Sequence, residues 1–459
     1  MGTFDIAVIG LGPGGEHVAG TLAERGLRVL GIEDRLVGGE CPYWGCVPSK
    51  MMIRAANALA EARRVDGLAG SIGAVRPNWA PVADRIRADA TDSWDDAVAV
   101  DRFVGKGGTF VRGTGRITGP GRVEVDGLEH TLERGVVVAT GTRPAVPPVD
   151  GLADVPYWTN HEAIEVEELP ASLVVLGGGA VGCELAQVFA RFGVDVSIVE
   201  AGDRLLPQEE PRAGDLLADV FRAEGITVRT GRSARRVDVD PAAGPDGRDG
   251  VAVELSSSET VRGEKLLVAT GRTVDVAATG LESVGVAAGA LTVPVDERCR
   301  VTDGVWAVGD VTGEGAFTHV AMYQAGIVIR DVLGEDGPAA DYRALPRVTF
   351  TDPEVASVGL SERAARASLT RVRVGTAQVP STARGWIHKA GNEGFVTVVE
   401  DADRGVLVGA TAVGPSGGEV LGALAVAVHA QVPVPTLRSM MYAYPTFHRG
   451  IEDALRDLA

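Results

Sequence analysis

Twice along this chain an apolar strand runs into Gly-x-Gly-x-x-Gly and then into a helical stretch. The first copy is Ile6-Ala7-Val8-Ile9, followed by Gly10, Gly12 and Gly15, a helical pattern to Glu24, a strand from Arg28 to Ile32, and Glu33 at its end. The second is Leu173-Val174-Val175-Leu176, followed by Gly177, Gly179 and Gly182, a helix to Phe192, a strand from Asp195 to Val199, and Glu200 at its end. Each is a complete βαβ mononucleotide unit with an acid about twenty residues on. The first glycine permits the tight turn, the second lets a pyrophosphate approach the backbone, and the third lets helix and strand pack closely. The helix N-terminus offers unpaired N–H groups and partial positive charge to that pyrophosphate. The terminal carboxylate accepts hydrogen bonds from ribose hydroxyls. Two units predict two dinucleotides, one held and one exchanging.

A chain of 459 residues exceeds one hydrophobic core, so roughly two to four domains are expected. The expected fold is α/β, with two Rossmann-type dinucleotide-binding domains and an α+β C-terminal domain. Segments 136–141 and 266–271 read as strands that enter and leave an inserted second domain. From Leu345 the pattern changes to strands near Arg347–Phe350, Phe395–Glu400 and Gly405–Val413. A helix over Gly417–His429 follows, then a last helix from Pro445 onward. The expected domains are 1–150, 151–272, 273–344 and 345–459. Asp240 to Gly250 reads as an exposed hairpin loop. The net charge of −18 disfavours nucleic acid as a partner, because phosphates are repelled. The first ten residues already read as a strand, no signal peptide precedes it, and no apolar run is long enough to span a membrane. A cytoplasmic location is expected.

The four cysteines, Cys41, Cys46, Cys183 and Cys299, do not make a structural disulfide framework. Cys41 and Cys46 stand close together in Gly39-Glu40-Cys41-Pro42-Tyr43-Trp44-Gly45-Cys46-Val47-Pro48-Ser49-Lys50, soon after the first glycine loop. In an ideal helix five residues rise about 7.5 Å, beyond the usual disulfide Cα separation of about 5.5–6 Å. The pair bridges only where the helix start is distorted. Pro42 suits a first turn, and Gly45 permits an irregular backbone before Cys46. Lys50 shares the helical face of Cys46, where it supports a reduced, anionic flavin or a thiolate. The alternative is two buried cysteines beside a loop. Zinc is disfavoured, because Cys183 and Cys299 lack a second paired spacing.

These residues resemble the pyridine nucleotide–disulfide oxidoreductases, the family of dihydrolipoamide dehydrogenase, glutathione reductase, mycothione reductase and mercuric reductase. The resemblance spans the chain. It rests on Gly10 to Gly15, Gly39 to Lys50, Ala139-Thr140-Gly141, Gly177 to Glu184, Ala269-Thr270-Gly271-Arg272, Ala307-Val308-Gly309-Asp310 and the stretch from Val348 to Gly359. It implies FAD on the first fingerprint and NAD(P)H on the second. It implies Asp310 on the FAD ribityl chain and a Lys50–Glu184 ion pair beside the flavin. Cys46 is then the thiol nearest the flavin and Cys41 the interchange thiol that attacks substrate. Gly115, Thr140, Gly141, Gly271, Arg272, Gly309 and His319 join the implied cofactor-binding set. A homodimer is implied, its C-terminal domain completing the partner's active site. Glu200 favours NADH over NADPH, although Arg204 is placed to accept a 2′-phosphate.

Three departures qualify this picture. The family's reductases usually end in His-Pro-Thr with a glutamate five residues after the histidine; here those positions are Tyr444 and Arg449. A phenol with a reference pKa near 10 is a poor general base at neutral pH. His448 is the alternative proton carrier. Glu40 stands where threonine is common, and Pro42-Tyr43-Trp44 is bulky. An aromatic there and a Tyr-Pro-Thr ending resemble the soluble transhydrogenases. Mercuric reductases also carry a tyrosine near the end but add a C-terminal cysteine pair. None lies between Tyr444 and Ala459, so mercury reduction is not expected. The leading expectation is an NAD(P)H-dependent flavoenzyme passing electrons through Cys41–Cys46 to a small-molecule disulfide or other acceptor. The alternatives are a diaphorase, quinone reductase or transhydrogenase, and a flavoprotein subunit of a larger complex.

Overall fold

The computed structural model describes residues 2–244, 249–287 and 289–458. It divides into two compact units, one of 1–49, 84–145 and 272–341, the other of 50–83, 146–271 and 342–459.

In the first unit, the strand Thr3–Ile9 lies between the parallel strands Val29–Glu33 and Leu128–Val138. Thr109–Arg112 extends the sheet on one side and Val305–Ala307 on the other. Strand alternation sends successive side chains to opposite faces. Ile6 and Val8 therefore pack under the helices Pro13–Glu24 and Thr318–Leu333, with Leu22, Phe103 and Val328. Ala7 and Ile9 pack on the other face with Ile32, Ile117 and Leu281. Arg143–Pro144 pairs antiparallel with Arg272–Thr273, forming a two-stranded ribbon where the chain leaves and re-enters this unit.

In the second unit, Ser172–Leu176 lies between the parallel strands Asp195–Val199 and Lys265–Val268. Segment 266–268 is thus the closing strand of the second nucleotide sheet. Ala234–Asp240 and Gly250–Leu255 form an antiparallel hairpin, as its turn residues suggest; 245–248 of its loop lie outside the described residues. The C-terminal portion is a five-stranded antiparallel sheet backed by the helix Gly417–His429. Two of its strands, Glu354–Gly359 and Val372–Gln378, are additional to those expected from the sequence. The last helix begins at Gly450, five residues later than expected. The Thr446 hydroxyl donates to the Ala443 carbonyl and lies 3.0 Å from His448 Nδ1. Such local side-chain bonds compete with the helical ladder. Among the described residues no helix is long and apolar enough to cross a membrane.

Candidate functional site

The two glycine loops repeat one construction. Gly10 and Gly177 have φ of +88° and +107°, and a Cβ on either lies within 2.5 Å of a neighbouring carbonyl, that of Ala139 or Ala269. The third glycines, Gly15 and Gly182, press on the carbonyls of Gly10 and Gly177, with Cβ positions 2.0 and 2.1 Å away. The middle glycines differ in kind. A Cβ at Gly179 meets nothing within 4 Å, and one at Gly12 meets only the Gly39 backbone at 4.0 Å. That is space left for a ligand.

Gly12 and Gly179 are the N-caps of the helices Pro13–Glu24 and Ala180–Arg191, and neither end has a side-chain cap. Their first-turn amides fit a pyrophosphate. The strand-end acids also repeat. Glu33 accepts from the amides of Leu11 (2.7 Å) and Arg35 (2.9 Å). Glu200 accepts from those of Gly178 (2.6 Å) and Gly202 (2.5 Å). Each carboxylate thus pins its own glycine loop, and a carboxylate's remaining lone pairs suit ribose hydroxyls. Burial pushes the Glu33 carboxyl above the usual carboxylate range, against the pull of those two amides.

The cysteine segment is a broken helix. Residues Glu40–Tyr43 make one turn, Trp44 leaves helical geometry at φ −136°, and a helix of 19 residues starts at Cys46. Gly39, at φ +64°, lies over Gly12, so the cysteine segment is anchored on the first glycine loop. The Val37 amide donates to buried Asp96 at 2.6 Å and holds the approach to it. Tyr43 turns into the protein, 6% exposed, whereas Cys46 is exposed. Cys46 Sγ lies 3.5 Å from the hydroxyl of Thr318, the first residue of Thr318–Leu333. Two helix N-termini therefore meet at this sulfur, an environment suited to a thiolate. The contact with Thr318 has no signal in the sequence. His319, beside it, stacks on Phe317 with ring centroids 5.1 Å apart. Cys183 is different. It is fully buried, donates to the Gly178 carbonyl, and burial pushes its thiol far up.

One turn after Cys46, Lys50 Nζ lies 2.9 Å from Glu184 Oε2 and 4.7 Å above the Phe350 ring. The Phe350 amide donates to the other Glu184 oxygen at 2.8 Å. Near the connecting ribbon, Arg272 donates to the Thr142 hydroxyl (2.6 Å) and carbonyl (2.7 Å). Its guanidinium sits between two carboxylates, 3.4 Å from Glu40 and 3.9 Å from Asp310. Thr142 donates to Asp310 at 2.9 Å. Burial pushes the Asp310 carboxyl up; Thr142 and Arg272 oppose the shift and Glu40 adds to it. Glu40 was read from the sequence only as a departure, and its pairing with Arg272 joins positions 232 residues apart in the chain.

Gly309 (φ +82°) donates its amide to Gln324 at 2.6 Å, immediately before Asp310. Thr140 and Gly141 follow the strand Leu128–Val138, and Gly271 stands in open space before Arg272. Gly115 packs against Ile9 and Ile32, under the strands that carry Gly10 and Glu33. In the C-terminal sheet region, Tyr444 is 67% exposed, with the Arg449 guanidinium 5.0 Å over its ring. Arg449 also pairs with Glu452 at 3.1 Å. Among the described residues no group of three or more His, Cys, Asp or Glu could hold a metal ion.

Comparison with known proteins gives consistent matches. Residues 4–325 match the family model described as pyridine nucleotide-disulphide oxidoreductase, and 345–455 match that family's dimerisation domain. The chain is 34% identical to a dihydrolipoyl dehydrogenase of Chlorobaculum tepidum, covering 99% of this chain and 97% of that protein. It is 35% identical to a mercuric reductase of Acidithiobacillus ferrooxidans, covering 97% and 81%. Among solved structures it resembles the HOCl-induced flavoprotein disulfide reductase RclA of Escherichia coli, with 26% identity, a TM-score of 0.83 and 99% of each chain covered. LpdA of Mycobacterium tuberculosis is similar at 27% identity and a TM-score of 0.84, again over 99% of each chain.

Proposed function

We propose, from the premise that this chain belongs to the pyridine nucleotide-disulphide oxidoreductase family, that Cys41 and Cys46 are the redox couple through which it reduces a small-molecule disulfide in the cytoplasm. The chain is an FAD-dependent oxidoreductase in which NAD(P)H-driven electrons pass by way of flavin to a disulfide. Bound flavin supplies the two-electron relay. The observation that carries the proposal is Cys46 at the meeting of two helix N-termini, one turn before Lys50.

The residues then divide the work. Gly12, Glu33, Gly39 and Asp310 hold FAD; Gly179 and Glu200 hold the nicotinamide dinucleotide. Lys50, held by Glu184, stands one turn after Cys46 on the same helix. In the dithiol form the Cys41 thiolate attacks one substrate sulfur, and the other sulfur leaves as a thiol after gaining a proton. The Cys46 thiolate then attacks Cys41, releasing the second substrate thiol and restoring the Cys41–Cys46 bond. The dimerisation domain supports a homodimer, as does its exposed apolar set, Trp386 (73%), Met441 (97%) and Tyr444 (67%). Anaerobic titration with NADH, followed by a screen of disulfides, quinones, thio-NAD and metal ions, tests the proposal. A folded, yellow protein that reduces quinones but no disulfide would refute it. That outcome is the second reading, favoured by the Arg449 cation lying on the Tyr444 ring where a proton shuttle is expected.

Two predictions arise here. NADH is preferred over NADPH by at least about tenfold in kcat/KM, because the Glu200 carboxylate repels a 2′-phosphate. The Arg204 guanidinium is partly engaged, by the Pro207 carbonyl at 3.0 Å and Asp203 at 3.3 Å. Steady-state kinetics with both donors decide it; a tenfold NADPH advantage rejects it. Gly182→Ala sets a Cβ against the Gly177 carbonyl. Overpacking of this kind costs about 1–3 kcal/mol, so NADH-driven flavin reduction slows by about tenfold or more. Flavin absorbance stays intact, because the first loop is untouched. Stopped-flow reduction of the FAD-loaded variant checks both statements.

A further inference from the structure

We infer that Arg191 is a positioning residue for the Lys50–Glu184 ion pair, acting through a buried second rung between the same two helices. The inference rests on the reading of Cys46 and Lys50 given above.

The helices Cys46–Arg64 and Ala180–Arg191 are joined at two levels. At the first, Lys50 meets Glu184. Seven residues on along each helix, Asn57 meets Arg191: the guanidinium donates to Asn57 Oδ1 at 2.6 Å. Seven residues are two turns, about 10.5 Å along each axis, so the rungs have equal spacing and the helices run side by side in one direction. The segment 350–352 crosses both rungs. Its Phe350 amide binds Glu184, and its Asp352 carboxylate accepts from Arg191 at 2.8 Å and from Arg64 at 2.7 Å. Gln187, between the rungs, exchanges two 2.8 Å hydrogen bonds with the Asp352 backbone.

Arg191 makes four side-chain hydrogen bonds. Its side chain is 3% exposed, and two of those bonds go to Glu224, at 2.9 and 2.6 Å. Its carbonyl accepts from Arg63 at 2.7 Å. Arg191 and Arg64 face Glu224, Asp352 and the more exposed Glu61, so neither buried partner of the rung is left alone. Sliding either helix by one turn, about 5.4 Å, breaks the set at once. An apolar contact permits small slides; a polar rung of several directional bonds resists them. The second rung thereby fixes where Lys50 meets Glu184, and through the helix the cation available to Cys46 one turn earlier.

The test compares Arg191→Met and Arg191→Lys with Arg373→Met. The last removes the partner of Glu400, itself 3% exposed, in the C-terminal sheet, and serves as a destabilised control. Two quantities are read in the FAD-loaded protein: the long-wavelength thiolate–flavin absorbance after two-electron reduction, and the rate of Cys46 alkylation by iodoacetamide in a Cys41→Ser background. Arg191→Met slows alkylation about three- to thirtyfold and weakens the absorbance in step. Arg191→Lys recovers part of both, since an ammonium keeps the charge but not the planar fork. Arg373→Met lowers the melting temperature and leaves both readouts unchanged. Arg191→Met matching Arg373→Met in both readouts overturns the inference. If the wild type shows no long-wavelength absorbance, the reading of Cys46 as the flavin-side thiol fails. The alkylation comparison then still decides the role of Arg191.

Discussion

Cys46→Ser is expected to remove the long-wavelength absorbance of the two-electron-reduced protein, and Cys41→Ser to leave a standing thiolate band without added reductant. Both variants lose disulfide reduction by about 10⁴-fold or more, the scale on which removing a covalent nucleophile acts. Reduction of dyes or quinones, which needs no thiol, stays within a few-fold of wild type. The asymmetry follows from placement. Cys46 begins a 19-residue helix and contacts Thr318 at the start of a second. Cys41 lies in the separate turn Glu40–Tyr43, before the break at Trp44. The measurements are anaerobic titration spectra and NADH oxidation coupled to a disulfide. Wild-type protein that passes directly to fully reduced flavin after two electrons would show that the pair is not coupled to the cofactor.

The second large effect concerns Tyr444. Turnover of glutathione disulfide and lipoamide by the wild type is expected to be slow, and the double substitution Tyr444→His with Arg449→Glu to raise it. Positioned acid–base help contributes about 10²–10⁴-fold, which bounds the gain. An imidazole near neutrality takes the proton from an attacking thiol and returns it to the leaving one. A phenol donates readily but is rarely anionic at pH 7. Arg449, lying over the Tyr444 ring and paired with Glu452, offers a cation where an orienting carboxylate is expected. Tyr444→Phe leaves quinone reduction nearly intact. Fast wild-type turnover of either disulfide, equally fast in Tyr444→Phe, would assign the proton to another group. His448, beside Thr446, is then the first to replace.

Much of this was legible in the sequence where the constraint is local. Gly15 and Gly182 answer to the carbonyls of Gly10 and Gly177 in their own loops, so their spacing encodes their purpose; the distant Ala139 and Ala269 carbonyls that Gly10 and Gly177 meet have no such record. The break between Cys41 and Cys46 was legible as a condition for bridging, from helix rise together with Pro42 and Gly45. Glu33 and Glu200 were legible as acids at strand ends; that each also binds its own glycine loop was not, because the bonds reach back 22 residues to amides with no side-chain signature. The last helix starts later than its pattern predicts, and the Thr446 hydroxyl bonds the Ala443 carbonyl ahead of it, a local contact without periodic signature. The pairings of Glu40 with Arg272, Cys46 with Thr318, and Arg191 with Asn57 and Asp352 join distant segments. No periodicity records such meetings.

The paired ribbon Arg143–Pro144 and Arg272–Thr273 bears on how a nascent chain acquires this fold. Leu128–Val138 leaves the ribosome long before its neighbour Val305–Ala307, and Pro13–Glu24 long before Thr318–Leu333, which covers the same sheet face. The whole intervening nucleotide unit is made in between, and domains generally fold as they emerge during synthesis. The first sheet to be translated is therefore among the last to be closed. Until then its Ile6, Val8 and Val137 face lacks the cover of Thr318–Leu333, and a chaperone has a defined apolar surface to hold.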